Sequence, residues 1–426
     1  MDHLLRRCAV GVAALLALLA GCGGSGGSGE PSARDDSRAS SSAPPTTPTA
    51  TPEESEAASL TAYDPPTRFE EHGGIRAPGL RNVALDGRKA YSFAGDRLVA
   101  WDLAGGEEIG TVEAGTPTSS VRDPAPYPPG LGTVEGKRYA VAAFRTSTKG
   151  AGSAEDAVGV EVVAMDAETG REAWRTQWDL PAYDESYLVT YVAGVAGRTA
   201  VVVSHGEYRY PVTYGIDLVT HKVTWRAPDF KAQLVQGTRV IGQKRGAEDA
   251  LALAAVDGGT GRYVWTGMAV GKDWSARAFA PDRIWVGDPE GRAVVDSATG
   301  EDKKYEGFGE KLHSITDCMD DQLKSTFCFS RTVKGGEISA YARTGKRLWR
   351  VGGPSDGSGR KEMRLESAFR GAVYVYVSDG PYKPIVLDGA TGADKITDLA
   401  VAPQLTNAYV GLVVVGGEIK VYRATG

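Results

Sequence analysis

A chain of 426 residues that is 42% apolar and 24% charged, with 55 Gly, is too apolar to be disordered throughout and too glycine-rich for a helical bundle. Its 48 Lys and Arg against 54 Asp and Glu leave a formal net charge of −6. The basic residues are scattered, which excludes a nucleic-acid binder built on a basic stripe. What remains is a β-rich globular body.

At the N-terminus, Arg6 and Arg7 precede an apolar run from Cys8 to Ala20. That run is too short to cross a ~30 Å hydrocarbon core as a helix and reads as an export signal over residues 1–21. The following Leu19-Ala20-Gly21-Cys22 resembles the lipobox of bacterial lipoproteins. The resemblance implies cleavage before Cys22, acylation of that cysteine with palmitate-type chains, and a body held at the outer face of the cell membrane. Residues 22–66 read as a disordered tether, because Pro, Ser, Thr, Gly and Ala fill 33 of the 44 positions after Cys22 and only Leu60 and Tyr63 are larger apolar residues. With Cys8 removed and Cys22 acylated, Cys318 and Cys328 are left as a pair in an oxidising compartment, flanking what reads as a hairpin, and a disulfide is expected.

From residue 67 to 426 one pattern recurs: a short β-rich segment, then Ala-x-Asp-x-x-Thr-Gly, then Trp eight positions after the Asp. Two copies are complete, at Asp166 with Trp174 and at Asp257 with Trp265; Asp217 with Trp225 keeps the register but has His221 in the Gly position. Asp296 and Asp388 keep Thr-Gly without the Trp, Asp102 is a weaker copy, and shorter turns end at Gly345, with Trp349, and at Gly426. The Asp suits an Asx-type turn, the Thr adds a hydroxyl bond, and the Gly supplies the positive φ that leads into the next strand. The eight copies lie 35–64 residues apart, the size of a four-stranded propeller blade. Runs such as Ala372 to Val377 and Leu412 to Val415 are strand-like. The expected fold is therefore all-β, an eight-bladed propeller of four-stranded antiparallel blades. The eighth copy stops after its third-strand turn, so residues 67–74 are expected to supply its outer strand, with Phe69 inward.

This repeat resembles that of the pyrroloquinoline-quinone-type β-propellers, in which the Trp docks against a neighbouring blade. The resemblance implies structural roles for Trp174, Trp225, Trp265 and Trp349. The same family includes quinone-dependent dehydrogenases, outer-membrane assembly scaffolds and uncharacterised lipoproteins. Its dehydrogenases typically carry an adjacent cysteine pair, and here no two cysteines are adjacent. His72, His205, His221 and His313 follow no metal-ligand spacing, and Asp320-Asp321 reads as solvated rather than as calcium ligands. Gly353 to Gly357 spells a nucleophile-elbow pattern but has loop composition. The expectation is no metal, no cofactor and no enzymatic activity.

The longest connections, including the five-proline stretch Thr116 to Gly130, belong to one face of such a propeller. They pair aromatics with charges: Tyr183, Asp184, Glu185 and Tyr187; Tyr208, Arg209 and Tyr210; Lys272, Asp273 and Trp274; Tyr382 and Lys383. Such mixtures suit recognition. The sequence thus points to a monomeric, membrane-anchored binding or scaffold module for a protein, peptide or cell-wall glycan; a propeller enzyme acting on a sugar or with a quinone, and a scaffold for envelope protein assembly, are the alternatives.

Overall fold

A computed structural model describes residues 60–426 except 72–73, 78–81, 116–126, 149–156, 181–188, 207–210, 272–273, 288–291, 306–314, 333–334, 354–359, 361, 379–382 and 417. The export signal, Cys22 and most of the tether lie outside the described residues. The remainder forms eight antiparallel sheets, seven of four strands and one of three. We number them as blades in chain order.

Blade 1 spans residues 84–113, blade 2 130–179, blade 3 189–228, blade 4 230–269, blade 5 275–296, blade 6 315–352 and blade 7 362–396. Each is a simple meander, because consecutive strands pair. Blade 5 has three strands, and its fourth is reduced to the bridge between Val295 and Asp302 and the bond from Lys303 N to Val294 O. Blade 8 combines the two parts of the chain most distant in sequence: Leu405–Thr406, Val410–Val415 and Glu418–Arg423, with Ile75–Ala77 as the outermost strand. Ile75 pairs with Val421 and Ala77 with Ile419. The closing strand thus begins at Ile75, just after the expected segment, while Phe69 bridges to Ala424 and is buried. The packed body also starts earlier than residue 67, since Leu60 is buried and Tyr63 N donates to Ala408 O at 2.7 Å.

Period-two alternation sends one face of each sheet toward each neighbour. Tyr91, Leu98 and Ala100 of blade 1 meet Ala140, Ala142 and Val163 of blade 2, and the same interdigitation continues around the ring to Val410 and Leu412 of blade 8 against Ala90 and Leu103 of blade 1. Eight blades joined in this way close the propeller.

The repeat Asp holds the turn after the third strand in blades 1 to 5 and 7. Asp217 Oδ1 accepts from Val219 N at 3.0 Å, Thr220 N at 2.8 Å and Thr220 Oγ1 at 3.1 Å. Asp166, Asp257 and Asp388 receive the same Thr bonds. At Asp166 the bonds from Thr169 hold the carboxyl below its ordinary range. The Trp then reaches the next blade: Trp225 Nε1 donates to Gly258 O at 2.9 Å, Trp265 Nε1 to Ser297 O at 3.1 Å, and Trp349 Nε1 to Gly389 O at 2.9 Å. In each case the acceptor is the residue after the next blade's Asp.

Cys318 and Cys328 are direct partners on the first two strands of blade 6 and form a disulfide with Cα atoms 4.1 Å apart. The neighbouring Asp320-Asp321 pair is not solvated. Asp321 is 1% exposed, and its Oδ1 accepts from Leu323 N, Lys324 N and Ser325 N, so the hairpin turn itself consumes the carboxylate. Burial pushes the Asp320 carboxyl up to about 6.

Candidate functional site

In an antiparallel meander the links between strands one and two and between strands three and four lie at one end. Those between strands two and three, and from blade to blade, lie at the other. The Asp-x-x-Thr-Gly turns occupy the first end. The strands flanking residues 149–156, 181–188, 207–210, 272–273 and 379–382 direct all of these connections to the second. Tyr183, Asp184, Glu185, Tyr187, Tyr208, Arg209, Tyr210, Lys272, Asp273 and Tyr382 lie outside the described residues.

Two members of the expected set are described. Lys383 is exposed at the head of the third strand of blade 7. Trp274 is not available to a ligand: it is 5% exposed and packs with Ile241, Leu253 and Ile284 between blades 4 and 5. One position before a strand whose residues alternate between faces, its side chain turns into the core.

At the same end, blades 3 and 4 and the link before blade 2 build a cluster that sequence reasoning does not single out. Tyr127, from the proline-rich link, stacks on Tyr191 of the innermost strand of blade 3, with ring centroids 4.0 Å apart and planes at 10°. The ring of His205, at the end of the second strand, meets Tyr191 edge-on at 6.1 Å. Lys231 is the second residue of the innermost strand of blade 4, next to Ala232, whose carbonyl accepts from Tyr191 Oη at 2.7 Å. The anchoring is reinforced by Thr213 Oγ1, which donates to Phe230 O at 2.7 Å.

The electrostatics of this cluster follow from burial. Desolvation, with the Lys231 charge as a second cause, pushes the His205 imidazole down to about 4, so it is neutral at physiological pH and can accept a hydrogen bond. Burial also lowers the Lys231 ammonium and raises the Tyr127 and Tyr191 phenols. The result is a half-buried surface made by the Tyr127 ring, a neutral imidazole and one cation, backed by the fully buried Tyr191. It can bind an aromatic, glycosidic or anionic group by stacking and directed hydrogen bonds. The only sequence signal for it was the composition of the connections around Tyr127 and His205. Among the described residues no group of three or more His, Cys, Asp or Glu is placed to hold a metal ion.

Comparison with known proteins matches residues 158–305, which run from the third strand of blade 2 to just beyond blade 5, to the family profile described as outer membrane protein assembly factor BamB. No curated protein matches the chain. Similar solved structures include BamB from Moraxella catarrhalis, at 15% identity over 83% of this chain and 99% of that one with a TM-score of 0.42. A europium-containing methanol dehydrogenase shares 12% identity over 80% of this chain and 82% of its own, with a TM-score of 0.44. A computationally designed protein, Ika8, shares 14% over 85% and 100%, with a TM-score of 0.46.

Proposed function

We propose that this chain, a β-propeller of pyrroloquinoline-quinone-type repeats, is a lipid-anchored extracytoplasmic protein that binds a protein, peptide or cell-wall glycan without catalysing a reaction on it. The binding surface is the end of the propeller that carries the long connections. The observation that carries this reading is the Tyr127, Tyr191, His205 and Lys231 platform. It joins the Tyr127 ring to one cation and a neutral imidazole, held against the packed strands of blades 3 and 4. The Leu-Ala-Gly-Cys22 site supports the anchor.

A more specific reading is that of a scaffold in envelope protein assembly, favoured by the match of residues 158–305 to a family profile described by such a role. Crosslinking in intact cells followed by purification of the full chain tests both. A partner captured by the unaltered chain is expected to be lost at least about tenfold on Tyr127→Ala or Lys231→Gln with the melting temperature unchanged. Capture of an envelope-assembly component identifies the scaffold reading. Equal capture by both variants removes this surface from the reading.

A further inference from the structure

Of the four interfaces that carry the repeat Trp, one departs from the rule the other three follow. Beneath Trp225, Trp265 and Trp349 lies the glycine of the next blade's turn, so close that a Cβ on Gly261, Gly300 or Gly392 would come within 2.6, 2.6 or 2.8 Å of the indole. Between blades 2 and 3 that slot holds His221, at φ +58. The imidazole cannot tuck under the indole as a glycine does; it stacks on Trp174 instead, with centroids 4.8 Å apart and planes at 16°. The repeat would have Trp174 donate to Leu218 O, but its Nε1 is buried with no hydrogen-bond partner.

A cleft of about 540 Å³ opens at this place, lined by Trp174, His221 and Tyr139 together with Glu135, Lys137 and Arg171. It lies at the end of the propeller opposite the long connections, beside the Asp166 turn. A buried indole N–H without an acceptor is costly, and departures from a local packing rule concentrate where a protein binds something. The volume is that of a small-ligand site.

The geometry points to a second binding site in this cleft, for a neutral saccharide. The half-buried imidazole and the Tyr139 ring offer flat surfaces to the C–H face of a pyranose. Trp174 Nε1, buried without an acceptor, can donate to a hydroxyl or acetamido oxygen once the indole tilts toward the cleft. The charged lining nearly cancels, with Glu135, Asp166 and Glu172 against Lys137 and Arg171, so it supplies acceptors and donors for hydroxyl groups without selecting a charged ligand. His221 creates the site by keeping the indole from its carbonyl. This inference stands apart from the surface proposed above, because it uses the other end of the fold.

The test is the indole resonance of Trp174 in the full chain labelled with ¹⁵N-tryptophan, assigned with Trp174→Phe and titrated with chitotriose and separately with maltotriose. A saturable shift of that resonance with either sugar is expected. In His221→Gly the indole should regain the Leu218 carbonyl: its resonance moves downfield without sugar, and the apparent affinity falls at least about tenfold. Should that variant not fold, Lys137→Ala with Arg171→Ala, on the exposed rim, is expected to weaken the shift several-fold. No shift with either sugar, or an undiminished one in the folded variants, overturns the proposal.

Discussion

Phe69 and Ala424 are antiparallel bridge partners, and the Phe69 ring lies 5.9 Å from that of Tyr374, buried at the junction of blades 7 and 8. Around them Thr67 N and Arg68 N donate to Gly426 O, Thr425 N donates to Arg68 O, and Tyr374 Oη donates to Pro66 O at 2.6 Å. Together with Ile75–Ala77 these contacts fasten the ring. A chain beginning at residue 78 loses the burial of Leu60 and Phe69 as well as the outer strand, more than ~4 kcal/mol at ~1.5–3 kcal/mol per large apolar side chain. Its melting temperature should fall by about 5 °C or more relative to a chain beginning at residue 60. Equal melting temperatures would show that this segment does not close the ring.

His205 makes stability depend on pH in a known direction. Its folded pKa of about 4 lies below the unfolded value, so between the two the unfolded chain binds the extra proton. Stability from this group is present above about pH 6.5 and is lost as pH falls toward 4. Asp320, raised to about 6, acts in the opposite sense, so a comparison of variants isolates the histidine. His205→Gln should flatten the loss of stability between pH 7 and pH 4 by on the order of 1–3 kcal/mol in urea titrations. An unchanged slope would mean that His205 is solvated in the folded protein.

The Cys318–Cys328 disulfide ties two strands already paired in one hairpin. Closing so short a loop is expected to contribute ~2–3 kcal/mol. Replacing both cysteines by Ser should therefore lower the urea midpoint while leaving the circular dichroism spectrum intact. Mass mapping of exported protein should find the pair linked; two free thiols there would remove the claim.

Cys22→Ala should release the protein from the membrane fraction into the soluble extracytoplasmic fraction, because a single acylated cysteine is the anchor that the Leu-Ala-Gly-Cys site implies. Retention of the variant after washing would assign the anchor elsewhere.

The enzyme alternative is tested directly by calorimetry of the purified chain with pyrroloquinoline quinone and calcium. No binding isotherm and no dye-linked dehydrogenase activity are expected. Stoichiometric uptake would reverse the preference for a binding module.

The fold was legible because its signal is repeated and local. Asp166, Asp217 and Asp257 each spell the same turn, and Trp225 and Trp265 each report a neighbour at a fixed offset. The platform was not, because Tyr127, Tyr191, His205 and Lys231 come from a link, two strands of one blade and the next blade. In sequence Tyr191 is an ordinary apolar strand residue. Trp274 misled for the opposite reason: its neighbours Lys272 and Asp273 are charged, yet strand alternation turns the indole inward. Asp321 reads as a surface acid until its three backbone donors are seen.

Blade 8 separates the folding of this protein into two regimes. Blades 1 to 7 are meanders of neighbouring strands and can form from short loops, each on its own timescale of local closure. The pairing of Ile75 with Val421 needs nearly the whole described chain to come together, and the entropy of that single large loop must be met before any contact of the seam repays it. During synthesis, the early strand waits without its partner while seven blades assemble. The interval before closure is when an exposed strand edge invites pairing with another chain, so the yield of folded protein should be governed by the lifetime of the open ring.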